Sequence, residues 1–494
     1  MTHVPAPRSA PAEQQLRTDS LGVSGIVFLV LAAVAPLTGI VVVACLGIAL
    51  GNGGGMVGSF VIVMAALLLF AVGYSQMAKE TVHAGGFYAF VLKGLGRPAA
   101  LVAAVIALLG YNLFVAGAVG TIGFFFSVVV ASLTGVSLHW FLWSAVLVVL
   151  AAVLTRRGVE FSAKALGVAL VLEVAILLVF DVSVLVQSGF SLEAWSPGTV
   201  LAPGLGLGLL FAANAFIGVE ATGLFSEEAR DPSRTVPRAT YLAVVLIGVF
   251  AAVTVWAIVS AIGVADSQAA ALDHLAAGDL VFTLSQQYLG GALTDIMMVL
   301  LLVSLFAALL ALHNSACRYL FSLGRVGVLP RSLGRTCSRG VPRRASLLQF
   351  GFALLVAAIF WIARLDPIST LVPAMTGSGT LGILCLQVMA AAAIVVHFRR
   401  RRDPRWWSTA IAPGAGFLGL TAIVVLAVVN FPTMAGSDSP VIAALPWLFA
   451  VAVVVALAYG AWLRRNRPQT WAELAVDLES ERLLDPADPA PVVG

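Results

Sequence analysis

Twelve long apolar runs divide this chain and leave few choices for its fold. Most are longer than 20 residues, and a helix of about 20 apolar residues crosses the hydrocarbon core of a membrane. No β-barrel alternation appears in them, so we predict α-helices, which satisfy their own backbone hydrogen bonds in lipid. The runs lie at about 22–49, 56–77, 99–130, 140–154, 166–187, 204–226, 240–263, 290–321, 346–363, 367–397, 409–430 and 441–463.

Composition excludes the common soluble classes. Of the 494 residues, 60% are hydrophobic and 11% are charged, whereas soluble domains carry about 25% charged residues. A soluble enzyme, a disordered chain and a disulfide scaffold are therefore excluded. The four cysteines are scattered, without a CxxC pair or metal-ligand spacing. We accordingly expect no metal and no cofactor.

The basic residues set the orientation of the predicted spans. If residue 1 is cytoplasmic, all of the 28 Lys and Arg residues except Arg364 fall in cytoplasmic segments. Cytoplasmic loops are enriched in Lys and Arg. One span more or fewer would place these basic residues on both sides of the membrane. The pattern predicts twelve spans with both termini inside, in the plasma membrane that forms the inner membrane of a bacterium. The net charge of +4 reflects this topology and does not indicate nucleic acid.

Two runs contain an interruption near mid-membrane. The first run carries Ala33–Gly39, including Pro36, and the sixth carries Phe216–Glu220 after a glycine-rich start. Matched interruptions in two halves of a chain are the best sequence indication of a transporter substrate site. Half-helix N-termini suit a carboxylate and exposed carbonyls suit an ammonium group, so the pair favours an α-amino acid. A proline kink and a glycine packing face are the alternative explanation.

Two carboxyl groups stand within the predicted spans. Glu173 lies in the middle of the fifth, and Glu220 ends the interruption in the sixth. A carboxyl group in lipid is costly, so each is expected to be functional, paired or protonated. A structural hydrogen bond to another helix is the alternative for Glu173, whereas Glu220 could brace the interruption, gate the site or titrate.

Other polar residues in the spans are less specific. Asn112 and Tyr111 in the third span and Ser304 in the eighth either line the same cavity or make helix–helix hydrogen bonds. Asp181 and Asp295 lie near the outer ends of the fifth and eighth spans, where we expect them to reach the membrane interface.

Three motifs resemble the amino acid–polyamine–organocation (APC) permeases, and the resemblance covers about residues 21–465. The first lies after the second span, the next includes the interruption in the sixth, and the last follows the eighth. In chain order they are Ala84–Tyr88 with Gly94–Arg97, Phe216–Ala221 with Glu227–Pro232 and Val236–Ala239, and Arg318–Phe321 with Gly324–Pro330.

This resemblance implies a fold and a domain organisation. The fold is an all-α polytopic membrane protein with a five-plus-five inverted repeat, similar to the leucine transporter, and discontinuous helices 1 and 6. The repeats would cover about 21–187 and 204–400 within a core of 21–400, and 401–463 would add two helices. Residues 1–20 are expected to be a disordered cytoplasmic tail. Residues 464–494 form a second tail, either solvated or with a short amphipathic helix at Trp471–Leu484.

The resemblance also implies roles for individual residues. Asn112 is similar to a substrate-facing asparagine of some members, and Glu173 takes a position where several members carry a lysine. Glu173 would bind a proton or, with Ser304, a sodium ion, and we favour the proton. The implied substrate-binding residues are Ala35, Pro36, Leu37, Thr38, Gly39, Phe216, Ile217 and Gly218.

Together these features predict a secondary active transporter for an amino acid or related amine, coupled to protons and working by alternating access in the lipid bilayer. The alternatives are a polyamine permease, an exchanger, a sodium symporter, a channel and a transporter-like nutrient sensor. No Walker motif or nucleotide domain occurs, so we expect no nucleotide partner and no ATP-driven pump. No His pair or HExxH pattern occurs, so we expect no intramembrane enzyme.

Overall fold

A computed structural model shows an all-helical chain. It describes residues 22–80, 87–157, 163–220, 222, 229–325, 327–337, 341–434 and 440–479. The tail at residues 1–20 lies outside this part, as do residues 480–484 of the predicted tail helix. Parts of the three motifs also lie outside it, namely Ala84, Gly85 and Gly86 of the first, Ala221, Glu227 and Glu228 of the second, and Val326 of the third. In chain order the helices are α1 Val23–Val34, α2 Pro36–Leu50, α3 Gly53–Glu80, α4 Phe87–Leu95, α5 Arg97–Thr134, α6 Trp140–Arg157, α7 Ala163–Ser188, α8 Leu205–Asn214, α9 Pro232–Ile262, α10 Ser267–Asp273, α11 Leu280–Tyr288, α12 Gly291–Arg325, α13 Arg343–Ile362, α14 Pro367–Arg400, α15 Trp407–Pro432, α16 Trp447–Asn466 and α17 Pro468–Glu479.

Ten helices of the described chain are long and apolar enough to cross a membrane. Each corresponds to one of the predicted apolar runs. The other two runs, at 22–49 and 204–226, are those with the predicted interruptions. The first is divided into α1 and α2, and in the second α8 ends at Asn214 and gives way to turns up to Glu220.

The centre of the bundle is built on the close pair α5 and α14. Glycine permits this approach: a Cβ added at Gly379 of α14 would lie 2.6 Å from the backbone nitrogen of Phe114 in α5. Small residues at such contacts are typical of membrane helices, where packing rather than hydrophobic burial drives association. This contact fixes the rotation of both helices and so decides which side chains face the broken helices.

Charged contacts join the helix ends on the predicted cytoplasmic side. Glu80 at the end of α3 accepts hydrogen bonds from His397 and Arg401 at the end of α14, over 3.1 and 3.0 Å. In the next loop, Arg405 donates to Asp403 over 2.6 Å, which lowers the pKa of the Asp403 carboxyl to about 2. The ion pair between Asp403 and Arg405 therefore persists until the pH falls towards 2. It adds no pH dependence to the stability of the protein in the physiological range.

The described part of the C-terminal tail is helical as far as Glu479. Leu474 of α17 is buried in a small cluster with Leu101 of α5 and Leu463 of α16. The Tyr88 hydroxyl of α4 donates to the Leu474 carbonyl over 3.2 Å. This segment therefore packs against the helix ends.

Candidate functional site

The first interruption is a sharp change of backbone direction at Ala35. Its φ of 55° and ψ of 78° are left-handed, and Pro36 then begins α2. Proline suits this first helical position because the missing N–H would have no helical partner there. The next free amide, that of Leu37, donates to the Glu173 carboxyl of α7 over 3.4 Å. A side chain of the protein thus contacts the positive end of this half-helix.

Glu173 joins three helices at the interruption. Its side chain is 4% exposed, and the Ser304 hydroxyl of α12 donates to the same Oε2 atom over 2.8 Å. Ser304 in turn accepts a hydrogen bond from the Thr38 hydroxyl of α2 over 3.3 Å. Two of the three residues expected to act in coupling or gating, Glu173 and Ser304, therefore lie in one hydrogen-bonded chain with the predicted substrate residue Thr38.

The second interruption is held by Glu220. Gly218 has a φ of 114°, a conformation that glycine adopts readily, and its amide donates to Glu220 Oε2 over 2.8 Å. The Tyr111 hydroxyl of α5 donates to Oε1 over 2.6 Å. Tyr111 also stacks on Tyr319 of α12, with ring centroids 5.2 Å apart. Glu220 therefore braces the turns against α5.

A cavity of about 60 Å³ lies between the two interruptions. Of the predicted substrate residues, it brings together Thr38, Gly39 and Ile217. Apolar side chains dominate the rest of the wall, and none of the described residues that line it is acidic or basic. The other lining residues are Val34, Val42, Val43, Leu46, Phe114, Ala118, Thr121, Asn214, Ala215, Leu305, Ala308, Leu312, Val372 and Thr376.

The remaining predicted substrate residues lie elsewhere. Asn112 is not in the cavity wall; its amide donates to the Leu108 carbonyl of its own helix over 2.7 Å. Phe216 is buried against Phe60 of α3, with ring centroids 6.4 Å apart. Pro36 lines a second, apolar cavity of about 180 Å³ beside Val174 of α7.

Ala35 and Leu37 are buried and are absent from the wall of the central cavity. The backbone amide of Leu37 donates a hydrogen bond to Glu173, and the backbone amide of Gly218 donates one to Glu220.

Sequence reasoning missed Thr121, Asn214 and Thr376 as lining residues. Each is a polar side chain within an apolar run, and this pattern is the sequence feature that could have identified them as lining residues. Thr121 recurs at helical spacing with two other lining residues of α5, Phe114 and Ala118, which marks one face of that helix.

The expectation for Asp181 was wrong. Its side chain is 2% exposed, and its Oδ2 atom lies 2.8 Å from the hydroxyl oxygen of Thr254 in α9. It does not reach the interface, because α7 turns this face towards α9. Asp295 is exposed, and its position at the membrane interface stays a prediction.

Comparisons with known proteins agree on one family. A family model described as amino acid permease matches residues 21–458. The chain is 26% identical to a branched-chain amino acid permease of Lactococcus lactis subsp. cremoris over 336 residues, covering 65% of this chain and 66% of that protein. It is 25% identical to a branched-chain amino acid permease of Bacillus subtilis over 390 residues, covering 74% and 78%.

Two further matches are narrower or more distant. A lysine-specific permease of Saccharomyces cerevisiae is 32% identical over 157 residues, covering 30% of this chain and 26% of that protein. A crystal structure of a mutant manganese transporter from Eremococcus coleocola shares the fold, with a TM-score of 0.57 and 11% identity. That match covers 94% of this chain and 98% of the other.

Proposed function

The chain belongs to the amino acid permease family, and from this premise we propose that it is a proton-coupled symporter for a neutral amino acid with a small or apolar side chain. The observation that carries the proposal is the chain of hydrogen bonds Thr38–Ser304–Glu173, which links the cavity wall to a buried carboxyl group. A group that binds a proton there is in contact with the element that would bind substrate.

The proposal includes the finer architecture. The two interrupted segments would complete twelve spans, arranged as inverted repeats at 21–187 and 204–400, with two more helices in 401–463. The distribution of Lys and Arg supports termini on the cytoplasmic side of a bacterial inner membrane. Rocking of the bundle around the two interruptions would give alternating access.

The cavity wall supports the substrate class. An amino acid has a carboxylate and an ammonium group, for which Thr38, Thr121, Asn214 and Thr376 supply hydrogen-bonding groups. Its side chain would meet valine, leucine and phenylalanine. A lysine or polyamine substrate needs an acidic partner for its extra charge, and no acid is among the described lining residues of this cavity. The two branched-chain permease relatives agree with this choice.

The contacts of Glu173 support a proton over a sodium ion. The Leu37 amide and the Ser304 hydroxyl both donate to Oε2. A sodium ion needs several oxygen atoms with free lone pairs, whereas the Leu37 amide can only donate and the Ser304 oxygen already accepts a hydrogen bond from Thr38. With Oε2 taking both hydrogen bonds, Oε1 is left to carry the proton.

Uptake by purified protein in liposomes tests the proposal. Labelled valine, leucine, lysine and a diamine are offered under a proton gradient and then under a sodium gradient. We expect accumulation of valine or leucine with protons alone. Glu173→Gln should abolish accumulation, whereas Glu193→Gln, an exposed acid in the loop before α8, should leave it unchanged. Accumulation driven by sodium, or entry only in exchange for internal substrate, would refute proton symport.

A further inference from the structure

Helix α7 carries a second buried carboxyl group, Asp181, eight residues after Glu173. Eight residues are about 12 Å along a helix, so the two groups are separate sites. The Asp181 side chain is 2% exposed, and its Oδ2 atom lies 2.8 Å from the Thr254 hydroxyl of α9. Its Oδ1 atom is buried and has no hydrogen-bond partner among the described residues.

The geometry at Thr254 indicates where the hydrogen lies. The hydroxyl oxygen is also 3.1 Å from the Phe250 carbonyl, four residues earlier on the same helix. Threonine in a helix commonly donates its single hydrogen to that carbonyl. When it does so, the contact with Asp181 requires a hydrogen on the carboxyl group. A protonated Asp181 therefore satisfies both contacts, whereas an ionised one competes with the carbonyl for one hydrogen.

Within the described part of the chain, no ion pair with a cation compensates a charge at Asp181. On α9 the described basic residues are Arg234 and Arg238, about 30 and 24 Å along the helix from Thr254, with Tyr241 near them. On α12, Asp295 is at the level of Asp181 but is exposed, and further along that helix lie His313, Arg318, Tyr319 and Arg325.

The other elements packed against α7 bring few titratable groups near Asp181. Helix α11 contributes Tyr288, and α1 and α2 contribute no acid or base, only Cys45. No described residue on these elements forms an ion pair with Asp181. An ionised carboxylate with a single hydrogen bond, buried away from any cation, is costly in a membrane protein.

Resting on the proton symport proposed above, we infer that Asp181 is a second proton-binding site and that the protein carries two protons with each substrate. The Asp181 proton lies at the contact between α7 and α9, and the Glu173 proton lies at the contact between α7, α2 and α12. Because both sites are on α7, movement of this one helix exposes both to water.

The ratio of protons to substrate tests this inference. In liposomes with no membrane potential, each coupled proton lets a gradient of one pH unit support about tenfold accumulation. We expect about 100-fold accumulation for the wild-type protein and about tenfold for Asp181→Asn, which mimics the protonated side chain. Asp295→Asn, an exposed acid at the same level, should behave as the wild type does.

Three outcomes are distinguishable. A wild-type ratio of one that depends on Glu173 would overturn the second site and leave the proposed function intact. No proton-driven accumulation by the wild type would overturn the proposed function itself. A ratio of two that Asp181→Asn does not change would show that Asp181 keeps its proton and is structural. If Asp181→Asn does not yield folded protein, the wild-type ratio still decides between one site and two.

Discussion

At the scale of single residues, Thr38 and Ser304 would connect substrate binding to the proposed proton coupling. Thr38 lines the central cavity and donates to Ser304, which donates to Glu173. A substrate that bonds to the Thr38 hydroxyl changes the direction of this chain of hydrogens. Binding of substrate and of the proton are therefore expected to be coupled through two hydroxyl groups.

Removing one hydroxyl tests this connection. Ser304→Ala deletes the donor to a buried carboxyl group, and such bonds contribute about 1.5–3 kcal/mol. We expect proton-driven uptake to fall about ten- to a hundredfold, measured as initial rates in liposomes. Ser304→Thr keeps the hydroxyl and should retain most of the uptake. Equal rates for the two variants would contradict the role of the hydroxyl.

At the scale of elements, the interruptions are stabilised by other helices. The α1–α2 break contacts α7 and α12 through Glu173 and Ser304, and the turns after α8 contact α5 through Glu220 and Tyr111. Irregular backbone at membrane depth persists only when it is buried in protein or lines a cavity. These side chains provide that environment.

Tyr111→Phe tests the second of these braces. The substitution leaves Glu220 with the Gly218 amide as its one described donor from another residue. A buried acceptor that loses its partner costs about 1–3 kcal/mol, so we expect a lower Tm in detergent. Tyr459→Phe removes a hydrogen bond to a loop carbonyl instead and should have a smaller effect. An unchanged Tm for Tyr111→Phe would argue against the brace.

Gly379→Ala tests the contact between α5 and α14. The added Cβ would lie 2.6 Å from the Phe114 backbone nitrogen, and overpacking of this kind costs about 1–3 kcal/mol. We expect reduced stability and a distorted cavity, measured as Tm and substrate affinity. At Gly351 on the exposed face of α13 a Cβ meets nothing within 4 Å, so Gly351→Ala should be neutral or slightly stabilising. Similar losses in both variants would refute the packing argument.

At the scale of the whole molecule, the proposed proton symport would move net charge across the membrane. A neutral amino acid carried with protons adds net positive charge to each cycle. A potential of 100 mV supplies about 2.3 kcal/mol per charge. The contact between Asp403 and Arg405 keeps its charges throughout the physiological range, so this contact adds no pH dependence to transport.

An imposed potential tests this charge movement. With the liposome interior about 100 mV negative, we expect accumulation to rise about 50-fold for each proton carried, since a tenfold change corresponds to about 1.4 kcal/mol. Currents on a solid-supported membrane should appear when substrate is added at acidic pH. Uptake that does not change with the membrane potential would indicate electroneutral exchange.

The sequence by itself determined the class of protein, the apolar runs and the places where two of them break. These features depend on the length of a run and on local residues such as Pro36 and Gly218. Tertiary structure alone decided that Glu173 meets Leu37 and Ser304, and that Thr121 and Thr376 face the cavity while Asn112 does not. The rotation of each helix about its axis makes that choice, and close contacts such as Gly379 against Phe114 set the rotation. For the same reason Asp181, which reads as an interface residue in the sequence, is buried against Thr254.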